Sequence, residues 1–282
     1  MIKHIPVLLD AVMDAVGDIR GARVIDATFG AGGYTRAFLN AGANVLAFDR
    51  DPNVLDDVKI IKREFGKKFE FVPRPFSAMA ELTDKFDAIV FDLGISSMQI
   101  DNPERGFSFR ADAPLDMRMS GNGPTVCEMF EQWTVADITK ILRDYGDVKP
   151  AVAIANAIKQ KMPTTTFELR DLIHNPRDIA PTFQALRIAV NDEMGELQRA
   201  LDSVPGLLNI GGKCICVTFH SLEDRVVKGT FRDWTVTPGD PRMPQTSQPK
   251  FELMRAQTPT KQEVEKNPRA RSAHMRGVVK SC

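Results

Sequence analysis

The sequence predicts an α/β fold, a mostly parallel sheet wound with helices and interrupted by one all-helical insertion. Three observations predict it. The stretch Val24-Ile25-Asp26-Ala27-Thr28-Phe29-Gly30-Ala31-Gly32-Gly33 is an apolar run, an acid and a glycine loop, and Tyr34 to Leu39 then begins a helical pattern. Strand, glycine loop and helix in that order open a nucleotide-binding, Rossmann-like unit. Short apolar runs recur at 44–48, 68–72, 86–91 and 213–219, as the parallel strands of such a sheet do. Between about 121 and 181 the apolar spacing is helical and no strand pattern intervenes.

Composition sets the frame. A chain of 282 residues holds one large domain, or one with an insertion. Its 43% hydrophobic and 26% charged residues are ordinary for a globular protein in water. The formal net charge is zero, so a nucleic-acid partner must meet a local basic surface and not a whole-molecule field. No apolar run is long enough for a membrane span, and the first residues, Met1-Ile2-Lys3-His4-Ile5-Pro6, do not read as a signal peptide. A cytosolic protein without a membrane partner is expected. Cys127, Cys214, Cys216 and Cys282 match no metal spacing. Cys214 and Cys216 point to one face of an apparent strand and read as small core residues, so no metal is expected.

The elements follow in order. Asp10 to Val16 is a short helix, and residues 23–33 are the first strand and loop. Gly30 and Gly32 supply two glycines of the dinucleotide fingerprint, but Thr35 stands at the third. Asp26 at the mouth of the loop would repel a pyrophosphate and favour a ligand with positive groups, such as the ammonium and sulfonium of S-adenosylmethionine. The spacing D-x-x-x-G-x-G resembles the first motif of class I methyltransferases; a glycine turn with no ligand is the plainer alternative. The second strand, 44–48, leads to Asp49-Arg50-Asp51-Pro52. Asp49, 23 residues after Asp26, is placed to accept the ribose hydroxyls of an adenosine or else to cap a helix. Asp51 can cap the next helix, with Pro52 in its first turn. The third strand, 68–72, is followed by Phe76, which either lies against an adenine or edges the core. The fourth, 86–91, ends in Asp92. Three strand-end acids, Asp26, Asp49 and Asp92, aimed at one crevice suggest a site.

Residues 98–120 are polar, turn-rich and aromatic, a long loop of the functional kind. Thr134 with Asp137 forms a capping box ahead of Ile138, Ile141, Leu142 and Tyr145. Val152, Ala155 and Ile158 mark a second helix, and Thr166 is expected to cap a third. A single long helix is expected from Thr182 to about Val204, its buried stripe running from Phe183 through Leu201. Residues 207–212 read as a turn, 213–219 as the fifth strand, and His220 to Arg225 as the opening of a helix at the crevice edge. Residues 235–262 are proline-rich without a clear period and are expected to form a mobile loop. From Lys266 onward there are five basic residues and no acid, either a solvated tail or a phosphate-contacting edge. The expected division is 1–108 for the first part of the sheet domain, 109–181 for the helical insertion, and 182–282 for the second part with its basic end.

These residues together resemble the bacterial 16S rRNA (cytosine-N4)-methyltransferase family (RsmH, or MraW). The stretches that carry it run nearly from end to end. They include His4 to Leu9, Asp26 to Gly33, Asp49 to Pro52, Pro75 to Ala78 and Asp92 to Ser97. Arg105 to Phe109, Pro114 to Met119, Arg187 to Asn191, Phe219 to Arg225 and Asn267 to Ser272 follow. Phe-His-Ser-Leu-Glu-Asp-Arg and Leu-Asp-Met-Arg-Met are the most specific of them. The resemblance implies a class I S-adenosylmethionine-dependent methyltransferase fold with a helical insertion for substrate recognition. It implies N4-methylation of a decoding-centre cytidine, with 16S rRNA in the small ribosomal subunit as partner. It also implies cofactor contacts from Gly32, Gly33, Tyr34, Asp49, Phe76, Asp92 and Gln99, to which the loop itself adds Asp26 and Gly30. Tyr34 stands where many members carry histidine and Met98 where many carry proline, so at position 34 the backbone contact is the one implied.

A cytosine amine is a weak nucleophile, and positioning should supply much of the rate. The Pro-Pro-aromatic motif of many DNA amine methyltransferases is absent after the fourth strand. Asp92 either binds cofactor or accepts an amine proton, and Asn191 and His220 are the candidates for contacts to the base. Arg269, Arg271 and Arg276 are the expected RNA contacts, and a homodimer is left open. Two rival functions stand beside this one. An NAD-dependent oxidoreductase is disfavoured by Asp26 and the missing third glycine. The other is a non-catalytic RNA-binding or ribosome-assembly protein on a retained fold.

Overall fold

The computed structural model describes residues 6–236 and 250–282. In chain order its elements begin with Leu9–Val16 (α1), Arg23–Asp26 (β1), Gly33–Asn40 (α2), Asn44–Phe48 (β2), Leu55–Phe65 (α3), Phe69–Val72 (β3) and Phe86–Asp92 (β4). Ser97–Asp101 (α4), Val126–Gln132 (α5), Val135–Gly146 (α6), Ala151–Lys161 (α7), Thr166–Asp171 (α8) and Ile179–Asn191 (α9) follow. The chain continues with Glu193–Leu207 (α10), Leu208–Thr218 (β5), Ser221–Thr235 (α11), Phe251–Leu253 (β6), Lys261–Lys266 (α12) and His274–Lys280 (β7). Among the described residues no helix is long and apolar enough to cross a membrane.

The strands form one sheet in the order β3-β2-β1-β4-β5-β7-β6, parallel from β3 to β5 and antiparallel on both sides of β7. This is the Rossmann-like class I arrangement expected from the sequence. The centre of the sheet is covered on both faces, so its strands are nearly continuous apolar runs: Val24, Ile25, Ile89, Val90, Phe91, Cys214, Ile215 and Cys216 are all fully buried. Leu197, Leu201 and Val204 of α10 and Val227 and Phe231 of α11 belong to the same core cluster as Ile25, Ile89 and Phe91.

The chain divides into two compact units, Met1–Gly94 with Glu196–Cys282, and Ile95–Gly195. The second unit is all-helical and has its own core, with Phe107, Leu115, Phe130, Leu142, Ile158 and Phe183 among its buried residues. Thr125, Thr134 and Thr165 each head one of its helices with a capping box.

Several expectations are corrected. The helical unit is wider than 109–181, because its core recruits Phe107 ahead of that range and Phe183 and Leu186 beyond it. The single helix from Thr182 is two helices, broken where Asp192 turns left-handed at φ 48°. Thr165, not Thr166, caps α8; the Thr166 hydroxyl instead donates to the Ala111 carbonyl and accepts the Ala113 amide. β5 begins at Leu208, which pairs with Phe86 of β4 ahead of a register shift, after which Lys213 pairs with Ala88. Of the loop expected at 235–262, residues 237–249 lie outside the described residues; 251–253 pair with β7 as an edge strand, and α12 begins at Lys261.

Candidate active site

β1 pairs in parallel with β2 on one side and β4 on the other, so the three strand ends open at one edge of the sheet. Asp26 is the last residue of β1, Asp92 the last of β4, and Asp49 follows β2 directly. Strand-end edges of this kind hold the ligand crevice in open α/β sheets.

Asp26 is buried at 1% exposure. Its Oδ2 accepts the Thr35 hydroxyl at 2.6 Å and its Oδ1 the Thr28 amide at 3.2 Å, so one carboxylate ties the loop's entry to the first turn of α2. Burial pushes its pKa up to about 6, against the pull of those hydrogen bonds, and the neighbouring Asp49 adds a further upward push. Asp49 Oδ2 accepts the Gly30 amide at 2.8 Å and Oδ1 the Asp51 amide at 2.9 Å. Burial raises its pKa as well, while the bonds from the Asp51 and Gly30 amides pull it down. At Asp92 the backbone amide donates to Thr28 Oγ1 at 2.7 Å. Its Oδ1 is shut off from solvent and has no hydrogen-bond partner among the described residues. Burial first, then the charges of Asp26 and Glu223, hold its pKa well above the usual carboxylate range. The result is a cluster of acids that repel one another and are partly stripped of water.

The glycine loop supplies the backbone of the site. Gly32 has φ 74°, and a Cβ there would stand 2.5 Å from Ile61 Cδ1 and 3.0 Å from the Phe29 ring. Gly30, at φ 53°, faces open space, with nothing nearer to a Cβ than the Thr28 carbonyl at 4.0 Å. Phe76 packs edge-on against Phe91, with ring centroids 5.6 Å apart, and is only partly buried. Tyr34 is buried and its hydroxyl donates to the Val7 carbonyl, so its side chain is occupied within the protein.

His220 is the N-cap of α11. Its Nδ1 accepts the Glu223 amide at 3.4 Å, while Glu223 Oε2 accepts the amides of Phe219 and His220 at 2.8 and 3.2 Å. His220 Nε2 lies 3.0 Å from Glu223 Oε1 but makes no aligned hydrogen bond among the described residues. Thr28, Thr35 and Glu223 were not singled out in the sequence. Only Glu223 carried a signal, its capping-box spacing after His220.

The remaining candidates sit on other elements of the chain. Gln99 lies in the helical unit, where it closes a capping box with Ser96 at the head of α4. Asn191, expected at the base, belongs to the same unit and uses its amide on backbone. Its Oδ1 accepts the Met119 amide at 2.8 Å, and its Nδ2 donates to the Met117 and Arg187 carbonyls at 2.7 and 2.9 Å. Arg276, expected on RNA, forms a two-pronged ion pair with Asp224 at 2.7 and 2.9 Å. Arg269 and Arg271 are exposed in the turn after α12.

An unpartnered buried carboxylate oxygen, a left-handed loop with open space before Gly30, and acids crowded at one edge fit a ligand that brings both a cationic centre and hydroxyl groups. Residues 1–281 match the model of the MraW methylase family. The chain belongs to that family. That membership sets the oxidoreductase reading aside. The chain is 42% identical to ribosomal RNA small subunit methyltransferase H of Brucella anthropi over 305 aligned positions, covering 99% of this chain and 88% of that protein. The Brucella canis protein of the same name matches equally. Among solved structures, an rRNA methylase from Streptococcus thermophilus aligns over 99% of this chain and 98% of its own, at 14% identity and a TM-score of 0.46. A likeness at that level adds nothing to the assignment.

Proposed function

We propose that the protein transfers the methyl group of S-adenosylmethionine to the exocyclic N4 of a cytidine in the decoding centre of 16S rRNA. The observation that carries the donor is the acid cluster. Asp26, Asp49 and Asp92 are raised toward neutrality by burial and mutual repulsion, and a cationic ligand relieves that repulsion. Family membership and the names of the relatives support rRNA as the acceptor class.

The donor supplies an electrophilic methyl group on sulfonium. In this reading Asp49 accepts the ribose hydroxyls while holding the loop through Gly30. The Gly30, Gly32, Gly33 and Tyr34 backbone lines the donor, and the partly buried Phe76 lies against the adenine. Asp26 and Asp92 face its positive groups, and Gln99 is assigned to the donor by the resemblance alone. Asp92 Oδ1 is the acceptor with spare capacity for a proton of the attacking amine, and His220 Nε2 is the second polar atom without an aligned partner. Arg269 and Arg271 contact RNA phosphates, and the helical unit recognises the substrate.

Methylation at ring carbon five requires a cysteine thiolate to add to the ring first. Cys214 and Cys216 are fully buried in β5, and burial holds the Cys216 thiol well above its usual range. Cys127 lies in the helical unit, its thiol also raised by burial. A variant with all four cysteines changed to alanine or serine should therefore stay active on small-subunit particles. Mass spectrometry of the product nucleosides should show N4-methylcytidine. Finding 5-methylcytidine would overturn the reaction, and finding no methylation by the wild-type protein would favour the non-catalytic alternative.

A further inference from the structure

Glu263 lies in α12, far from the glycine loop in sequence. Its Oε1 nevertheless accepts the amide hydrogen of Leu8 at 2.6 Å, across 255 positions of sequence. Leu8 is held at φ 55°, in the left-handed region that a leucine rarely adopts. Such strain persists only where surrounding contacts hold it, and it points toward function. On either side of Leu8 the chain grips the glycine loop. The Val7 carbonyl accepts the hydroxyl of buried Tyr34, the residue after Gly33 in α2. Pro6 packs so closely on Gly33 that a Cβ at that position would collide with the Pro6 ring. The segment 6–8 is thus fastened at one end to α12 and at the other to the loop.

We propose that Glu263 is a positioning residue of the donor site, acting through Leu8, Val7 and Pro6 on Gly33 and Tyr34. The proposal rests on the reading of the glycine loop as the donor site. Glu263 touches no reacting atom in it. It accepts the hydrogen bond of an amide that α1 cannot satisfy and holds Leu8 in its strained conformation, and the segment keeps the loop in its donor-binding shape. A charge-assisted hydrogen bond between distant parts of the chain serves that purpose where a neutral contact would be weaker.

The test is calorimetric titration of S-adenosylmethionine into the full chain, with wild type, Glu263→Ala, Glu263→Gln, Tyr34→Phe and the double variant Glu263→Ala/Tyr34→Phe. Glu263→Ala should weaken donor affinity about tenfold. Glu263→Gln keeps an acceptor oxygen but loses the charge, and should weaken affinity only about threefold. Tyr34→Phe should weaken affinity too. The double variant should be no weaker than the worse single one, because both break the same fastening. On ribosomal particles Glu263→Ala should raise KM for the donor and leave kcat at saturating donor unchanged, a split that general loss of stability would not produce. Wild-type affinity in folded Glu263→Ala, or strict additivity in the double variant, overturns the proposal. If Glu263→Ala fails to fold, Tyr34→Phe decides, and unchanged affinity there overturns it equally. If the wild-type chain binds no donor, the donor-site reading itself falls, an outcome distinct from the others.

Discussion

Asp49 accepts the amide hydrogen of Gly30 at 2.8 Å, so the acid that follows one strand fixes the loop that follows its neighbour. The same carboxylate is the proposed acceptor for the donor's ribose. Loop shape and ligand recognition therefore rest on one side chain.

Asp49→Ala should lose both roles. Charged hydrogen bonds contribute roughly 1.5–3 kcal/mol, so donor affinity should fall by about one to two decades in a variant that still folds. Calorimetry gives the answer directly. An unchanged dissociation constant would remove Asp49 from the site.

The pKa of Asp26 stands at about 6, above its ordinary 3.8. Well below pH 3.8 the group is protonated in both folded and unfolded chains and costs nothing. Above pH 6 the folded protein carries the full cost of a buried charge, so this contribution to stability is lost as pH rises through that window. Replacing Asp26 by Asn removes the titration. Between pH 4 and pH 7 the variant's unfolding free energy should improve relative to wild type by about 3 kcal/mol. Urea unfolding of both proteins across that range checks it, and a pH-independent difference would sink the idea.

Asn191→Ala should act on stability first. It removes the side chain's bonds to the Met119 amide and to the Met117 and Arg187 carbonyls, all made by a side chain only 8% exposed. Met117 is itself left-handed at φ 59°, so the loop it belongs to depends on these bonds. The expected loss is about 2–4 kcal/mol by chemical denaturation. A variant of wild-type stability that no longer methylates would return Asn191 to the base.

Exchanging residues 95–195 for a short linker should leave donor binding measurable and abolish RNA methylation. The acids, the glycine loop and His220 all lie outside that range. Normal methylation of ribosomal particles by a folded, shortened chain would show that the helical unit is not the substrate domain.

The sheet was legible because its strands are buried on both faces and therefore read as plain apolar runs. The acids at the ends of β1, β2 and β4 were legible because they interrupt those runs. What escaped detection depended on geometry that no local pattern encodes. The apolar stripe from Phe183 to Leu201 keeps helical spacing straight through the break, and Asp192 turns left-handed there without the glycine or proline that usually marks such a turn. Gly211 and Gly212 disguised the start of β5, whose pairing with β4 includes a register shift. The ion pair of Arg276 was hidden because its partner, Asp224, lies 52 positions away. The backbone bonds of Asn191 were hidden for the same reason: two of the three groups it serves, at Met117 and Met119, lie more than 70 positions earlier.

The bond between Leu8 and Glu263 also sets a clock on the protein's own synthesis. The glycine loop and its flanking strands are made before the helical unit and β5, while the carboxylate that fastens segment 6–8 follows Leu8 by 255 positions. At roughly 5–20 residues per second, that is a wait of about 13–50 s on the translating ribosome. β7, which slots between β5 and β6, comes later still. A growing chain thus carries every acid of the crevice well before its loop is secured. If the fastening matters as proposed, the nascent protein cannot hold its methyl donor firmly until translation has nearly passed through the whole fold.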